Sequence, residues 1–419
     1  VLIDSSIREK QRDKKLDSMS RYRILQVFNR YLQIGGEEKS VNRIYRHLAE
    51  DHAIERCFFD SHAWIGRNAP RRREQVRMML YNQESRRQLE AKIASFKPNV
   101  LLFHNIFPIG SPSLYHTALL NNLPVIQYVH NFRPFSVSGT LYANGRITKE
   151  SLEGKYWQEV LFGAWQGSIF KSAMMSIVLT QLQNSGWLEA VKAWVCVSKF
   201  MHDKFLVTGL PENRIFTLPH SWDPHSLDLD RTDKGYYLFM ARLVESKGVP
   251  VVLKAWHALK NKLGDKTPQL WVCGEGPLAD KVIKASLNNP KIRYLGQVND
   301  PEKTDILSHC RALIVPSTWW EPLGIVVYEA YDLAKPVLVA ASGGLTDIVE
   351  HGVTGFLHIP GHEQELIRSV LATENLSLRE RETMGLAGRE WLLSNASVIV
   401  WKQNFEKILK SVVLDSTVV

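Results

Sequence analysis

The chain has 419 residues, of which 45% are hydrophobic and 23% charged, and carries a formal net charge of +9. This composition excludes a disordered chain and suits two domains of ordinary size, while the positive balance suggests an anionic partner: nucleic acid, acidic lipid or a phosphorylated small molecule. Cys57, Cys196, Cys273 and Cys310 lie far apart with no CxxC pair, which suggests neither a zinc site nor a disulfide framework and fits a reducing cytosol.

The opening VLIDSSIREKQRDKKLDSMSRYRIL alternates charges where a secretory leader needs an apolar core, so residues 1–20 are expected to be an extension outside the fold, with Met19 a candidate start. From Arg21, apolar runs alternate with longer amphipathic stretches: YRILQVF then EKSVNRIYRHLAEDH, NVLLFHN then SPSLYHTALLNNL, PVIQYVHN, and AWVCVSK then FMHDKFLVTGL. Runs that are continuously apolar are those of strands covered on both faces, so a parallel sheet between helices is expected. The run SAMMSIVLTQLQNSGWL is interrupted by Gln181, Gln183, Asn184 and Gly186. It is shorter than the ~20 apolar residues of a spanning helix.

Periodicity fails in TLPHSWDPHSLDLDRTDKG, then restarts with GYYLFMARL, GVPVVLKAWHALKNKLG, PQLWVCGEG, PLADKVIKASL, IRYLGQV, PEKTDILSHC and RALIVPS. The expected organisation is a first α/β domain over 21–218, a hinge over 219–234, a second α/β domain over 235–395 and a terminal helix over 396–419. Both domains read as doubly wound, and ligands of such sheets bind beyond the carboxyl ends of the strands.

WWEPLGIVVYEAYDLAKPVLVAASGG places Glu321 and Glu329 around Pro322 and Gly324. Pro322 suits the first turn of a helix, with Glu321 at its entrance and Glu329 about two turns in. At ~1.5 Å rise per residue, their backbones are about 12 Å apart. The carboxylate pair of a glycosidase is closer, at ~5 to 9.5 Å, so the two suit opposite ends of one extended ligand. Amides around Gly324, Ile325 and Val326 are first-turn donors that favour an anion. The plainer reading, a helix-start carboxylate and a solvated glutamate, is equally open on this stretch alone.

ARLVESKG places Arg242 and Lys247 in a loop after a strand, where two cations can clamp a pyrophosphate, although each taken singly fits a surface residue. VCGEGPL turns at Gly274 and Gly276, as a plain turn or a nucleotide contact. In GGLTDIVEHG, Thr346 is the expected helix cap.

In this order and spacing, ARLVESKG, VCGEGPL, YLGQV, VPSTWWEPLGIVVYEA and GGLTDIVEHGVTGFL resemble the donor domain of retaining GT-B glycosyltransferases of the family-4 type, including its E-x7-E signature. The resemblance implies two Rossmann-like domains facing a deep cleft. Arg242 and Lys247 would hold the donor diphosphate, Glu321 the sugar hydroxyls and Glu329 the ribose. Leu323, Gly324, Ile325 and Val326 would line the phosphates, with Gly274 nearby and the backbone of Gln297 and Val298 along the base. In the first half, NRYLQIGGEEKS resembles the glycine loop of the family, with Gly35 and Gly36 toward the donor phosphate. PVIQYVHNFRPF resembles its strand ending in histidine, which makes His130 the candidate beside the donor sugar and His104 its competitor. The chain departs from the family at Pro219, His220 and Ser221, where many members have Pro-Asn-Gly.

The implied activity is retaining transfer of a hexose-type sugar from a UDP- or GDP-sugar to a hydroxyl of a glycan or lipid-linked acceptor, in cell-surface polysaccharide or glycolipid biosynthesis. It needs no metal and no further cofactor. A catalytically silent nucleotide-sugar-binding protein and a phosphorylase or epimerase of the same architecture stay open. No nucleic-acid recognition motif is apparent. Tyr156, Trp157, Phe162, Trp165, Phe170, Met174 and Met175, with the basic run RNAPRRREQVR, suit either core and solvated helix or a face lying on an anionic membrane. The expected location is the cytoplasm, at the inner face of the membrane in the second case.

Overall fold

The computed structural model describes residues 22–32, 35–227 and 230–415, so the expected extension at 1–20 and part of the expected hinge lie outside the described residues. The first apolar run forms β1 (Arg23–Arg30), with its six inner residues buried. After it come β2 (Ala53–Asp60), β3 (Val100–Phe103) and β4 (Val125–Val129), the short antiparallel pair β5 (Tyr142–Ala143) and β6 (Arg146–Ile147), then β7 (Val191–Cys196) and β8 (Ile215–Thr217). The sheet order is β2-β1-β3-β4-β7-β8. Strand β2 was not among the apolar runs singled out. It lies at the sheet edge and is mostly half-buried, so it tolerates Glu55 and Arg56.

The second sheet comprises β9 (Tyr236–Met240), β10 (Gln269–Cys273), β11 (Ile292–Gly296), β12 (Ala312–Val315), β13 (Val337–Ala340) and β14 (Gly355–His358). Its order is β11-β10-β9-β12-β13-β14 with every pairing parallel. The chain steps outward from β9 on one side and returns to β12 on the other, so the switch point lies between β9 and β12. Loops leaving the carboxyl ends of neighbouring strands diverge there and leave room for a ligand. Beneath them, Tyr237, Phe239, Val252, Trp256, Leu259, Leu270, Val272 and Ile314 form a continuous core. Each fully buried aliphatic or aromatic side chain of this kind contributes roughly 1.5–3 kcal/mol.

Two compact units result. One takes the described residues up to Gln127, with Gly186–Lys192 and those from Leu409 onward; the other takes Tyr128–Ser185 and Ala193–Ile408. Within the second unit, the stretch 219–227 carries Trp222, whose indole N–H donates to Asp332 at 2.9 Å. Asp332 also accepts from the His225 amide at 2.9 Å and pairs with Arg389 at 2.8 Å. The terminal helix runs over Val398–Asp415, and the Trp401 indole donates to the Tyr128 hydroxyl at 3.2 Å.

Two local expectations are corrected. The helix carrying Glu329 spans Ile325–Asp332, so Pro322 lies ahead of it and Glu329 is just over one turn in, not two. Gly324 caps it in the left-handed region at φ +93°, and the Leu345 side chain fills the space a Cβ would need. That bend delays the helix by a turn. Thr346 is not a cap: Gly344 precedes the helix Leu345–Ile348, and the Thr346 hydroxyl donates to the Gly343 carbonyl at 2.9 Å.

Candidate donor site

All the described site elements of the second sheet belong to the second unit. The loop after β9 passes Arg242, which is exposed, and closes in a short turn over Glu245–Lys247. Gly248 ends that turn at φ +81°, with the Pro316 carbonyl where a Cβ would sit. This close approach brings the Lys247 loop against the segment after β12. A larger residue would separate them.

The contact delivers the Lys247 ammonium to 2.6 Å from Glu321 Oε1. The same oxygen accepts from the Ser317 hydroxyl at 2.6 Å and from the Trp319 indole N–H at 2.8 Å. Glu321 is 4% exposed, and three charge-assisted bonds are what make a carboxylate affordable at that burial. Among the described residues, Oε2 takes no protein donor. The Lys247 ammonium also lies 4.9 Å from the Trp319 ring centre, as a cation over a π face.

Behind Glu321 the loop after β13 acts as a brace. The Gly344 amide donates to the Glu321 carbonyl at 2.7 Å, and the Ser342 hydroxyl to the Trp319 carbonyl at 2.6 Å. Gly343, at φ +65°, admits the Trp320–Glu321 backbone where a side chain would collide. The glycines of this motif thus hold the glutamate segment in place.

Trp320 has a different role from Trp319. Its ring lies edge-on to Phe200 at 5.2 Å and beneath the Lys204 ammonium at 4.7 Å. The Phe200 amide donates to Asp347 at 2.8 Å, so the carboxylate after the Gly343–Gly344 brace caps the helix Lys199–Leu206. Burial pushes the Asp347 carboxyl above its ordinary range.

The other expected residues divide. Leu323 is buried beneath the loop, while Gly324, Ile325 and Val326 are half-buried at the helix start. Glu329 pairs with Lys303 at 2.8 Å, a partner the sequence reading missed because it comes from the helix Asp300–Ser308. Val298 is half-buried and Gln297 exposed after β11. The need for glycine at 274 and 276 is met by packing: the carbonyls of Ala241 and Leu243 occupy their Cβ positions, locking the β10 loop to the β9 loop.

His130 follows β4 and is 9% exposed, and burial pushes its imidazole down to about 3 from 6.5, so it is neutral at pH 7. Its competitor His104 is fully buried, 3.0 Å from the Gln26 amide nitrogen within the first unit. Gly35 and Gly36 open the helix Gly36–Ala49 of the first unit, and their expected role rests on the resemblance alone.

After His130 the chain loops back over a buried carboxylate that the sequence reading missed. Glu159 accepts from the Val137 and Ser138 amides and from the Ser136 and Ser138 hydroxyls, at 2.6–2.9 Å. This fixes the turn leading to β5, whose Tyr142 hydroxyl lies 3.3 Å from that of Thr318. Of the aromatic and methionine region, Tyr156 and Met175 are core, Trp165 and Met174 half-buried, and Trp157, Phe162 and Phe170 exposed. No described helix is long and apolar enough to cross a membrane.

Residues 228–391 match the model of the family described as glycosyl transferases group 1. An uncharacterized glycosyltransferase of Methanocaldococcus jannaschii is 23% identical over 239 residues, covering 52% of this chain and 58% of its own. The match thus spans little more than half the length of that relative. Among solved structures, HepE of Anabaena, in complex with UDP, aligns with a TM-score of 0.61 at 16% identity, covering 92% of this chain and 99% of its own. Sucrose-phosphate synthase of Thermosynechococcus elongatus aligns with a TM-score of 0.66 at 14% identity, covering 93% and 99%. With its two Rossmann-like parallel sheets, the chain has the GT-B fold.

Proposed function

We propose that this chain, whose residues 228–391 match the group 1 glycosyl transferases, moves a hexose-type sugar from a UDP- or GDP-sugar to a hydroxyl of a glycan or lipid-linked acceptor, with retention and without a metal. The observation that carries the reading is the Lys247–Glu321 pair, 2.6 Å apart at the carboxyl ends of β9 and β12, where the second sheet switches direction. A buried glutamate with one oxygen saturated by protein donors offers the other to sugar hydroxyls. The lysine that neutralises it keeps ammonium protons for phosphate.

In this reading Arg242, Lys247 and the amides of Gly324, Ile325 and Val326 receive the diphosphate. Glu329 holds the ribose. The bond from the anomeric carbon to the phosphate oxygen breaks and the acceptor oxygen bonds the same face of that carbon. The acceptor proton passes to the departing phosphate. Charge grows on the diphosphate as the bond breaks, and donors already aimed at it lower the barrier without reorganising. A neutral His130 accepts or donates a hydrogen bond at the sugar without adding charge.

The reading extends to an acceptor at an anionic membrane, on its cytoplasmic face. Six large apolar side chains are exposed between Trp157 and Ile177, including Phe170 at 65% and Leu161 at 60%, and Arg67, Arg71, Arg72, Arg73 and Arg77 are exposed in the basic run. Exposed apolar groups and arginines both favour an anionic lipid surface. Flotation with anionic vesicles, weakened by high salt, is the expected result; no flotation at any salt overturns this part.

The activity itself is tested with a panel of UDP-, GDP- and ADP-sugars, read by melting temperature and by release of nucleoside diphosphate. Stabilisation by one nucleotide series with turnover is expected. No stabilisation and no release across the panel overturns the proposal.

A further inference from the structure

The departure from Pro-Asn-Gly at Pro219–Ser221 has chemistry of its own. His220 is 5% exposed, and its ring centre lies 5.1 Å from that of His130 with the planes 18° apart. Tyr128 joins both, at 5.1 Å and 29° from His130 and at 5.7 Å and 11° from His220. Three near-parallel rings therefore lie within 5.1–5.7 Å of one another: Tyr128 on β4, His130 just after it and His220 in the segment after β8.

Tyr128 is itself pinned. Its hydroxyl donates to the Leu218 carbonyl at 3.2 Å and accepts the Trp401 indole N–H at 3.2 Å. The His130 ring is flanked by both Tyr128 and His220, and turning it about its Cβ–Cγ bond would drive it into one of them. The amide of an asparagine at 220 has no ring face to offer, whereas the His220 imidazole stacks beside that of His130.

We propose that His220 is a positioning residue: together with Tyr128 it holds the His130 imidazole in the single orientation in which it meets the donor sugar. The inference rests on the functional reading above for the role of His130, and on the ring geometry for its own part.

The test uses the full chain with His220→Ala, His220→Phe and His220→Leu. Phenylalanine keeps a ring face, while leucine fills the volume without one and replaces alanine should that variant fail to fold. Expected are a fall in kcat of about 10-fold or more for Ala and Leu with donor KM within about 2-fold, and recovery to within about 3-fold for Phe, since small misplacements of a reacting group are costly. In parallel, the imidazole signals of His130 in ¹⁵N-histidine NMR should move in the Ala and Leu variants and return in the Phe variant. Unchanged kcat in Ala and Leu, or His130 signals that stay in place, overturns the proposal. Should the wild type turn over no nucleotide sugar, the functional reading fails, and the NMR comparison still decides whether His220 orders His130.

Discussion

The Lys247 ammonium lies 2.6 Å from the Glu321 carboxylate, although 74 residues separate them along the chain. Their two loops leave neighbouring strands β9 and β12, and Gly248 lets the first come into contact with Pro316 ahead of the second. The strand order and the close approach at Gly248 therefore bring the cation and the carboxylate together.

Glu321→Gln keeps the shape and an oxygen that can accept from Ser317 and Trp319, but removes the charge opposite Lys247. Turnover should fall about 100-fold, equivalent to roughly 2.7 kcal/mol of transition-state stabilisation. Circular dichroism should show an unchanged fold. Activity within 3-fold of wild type would contradict the role given to this residue.

Trp319→Phe retains a ring face for Lys247 and deletes the N–H that donates to Glu321 at 2.8 Å. A single hydrogen bond to a charged group is worth about 1.5–3 kcal/mol, or roughly 10- to 150-fold in kcat/KM. Steady-state kinetics with saturating acceptor measure it. Trp319→Ala, which also removes the cation–π face, should lose more.

Glu329→Ala should raise donor KM about 10-fold with little change in kcat, as expected for a contact made equally in ground and transition states. A matching fall in kcat would place Glu329 among the reacting groups instead. Lys303 loses its 2.8 Å partner in this variant, so Lys303→Ala is the control that separates loss of the pair from loss of the ribose contact.

Gly274→Ala and Gly352→Ala separate close packing from backbone strain. Both have positive φ, +126° and +80°, but only Gly274 has a backbone carbonyl, that of Ala241, in the Cβ position. Gly352→Ala should cost about 1–2 kcal/mol from the left-handed conformation. Gly274→Ala should cost more than twice that in urea unfolding, because two loops must part.

His358 provides the pH prediction. Burial pushes its imidazole down to about 4 from 6.5, so the unfolded chain binds a proton that the folded chain refuses between those values. Stability therefore falls as pH drops from about 6.5 toward 4, by an amount on the order of 3 kcal/mol for this group. His358→Gln should flatten the acid limb of the denaturation midpoint plotted against pH. A slope unchanged by the substitution would assign the acid sensitivity to other groups, His130 first among them.

Much of this organisation was legible along the chain. Continuous apolar runs marked both sheets, since a strand covered on two faces has no solvent side to alternate toward. Strand β2 escaped because an edge strand may carry charges, and the helix after Glu321 was begun a turn early because proline is a start signal whereas the bend at Gly324 depends on Leu345, more than twenty residues on. Arg242, Lys247, Glu321 and Glu329 were singled out by residue type and spacing. Ser317 and Lys303 were not, because a hydrogen-bond partner is chosen by direction in space.

The sequence by itself determined the element types, their alternation and the loops that carry charge, all of which follow from local periodicity and turn chemistry. Tertiary structure alone decided which of those charges meet: the strand order brings the ends of β9 and β12 side by side, and close backbone approaches at Gly248 and Gly343 complete the setting of Glu321. The same holds for His130, whose orientation depends on Tyr128 beside it in sequence and on His220 ninety residues away. The physical reason is range. Periodicity acts over a few residues, whereas ion pairing, ring packing and desolvation act through space between segments that only the completed fold brings within reach.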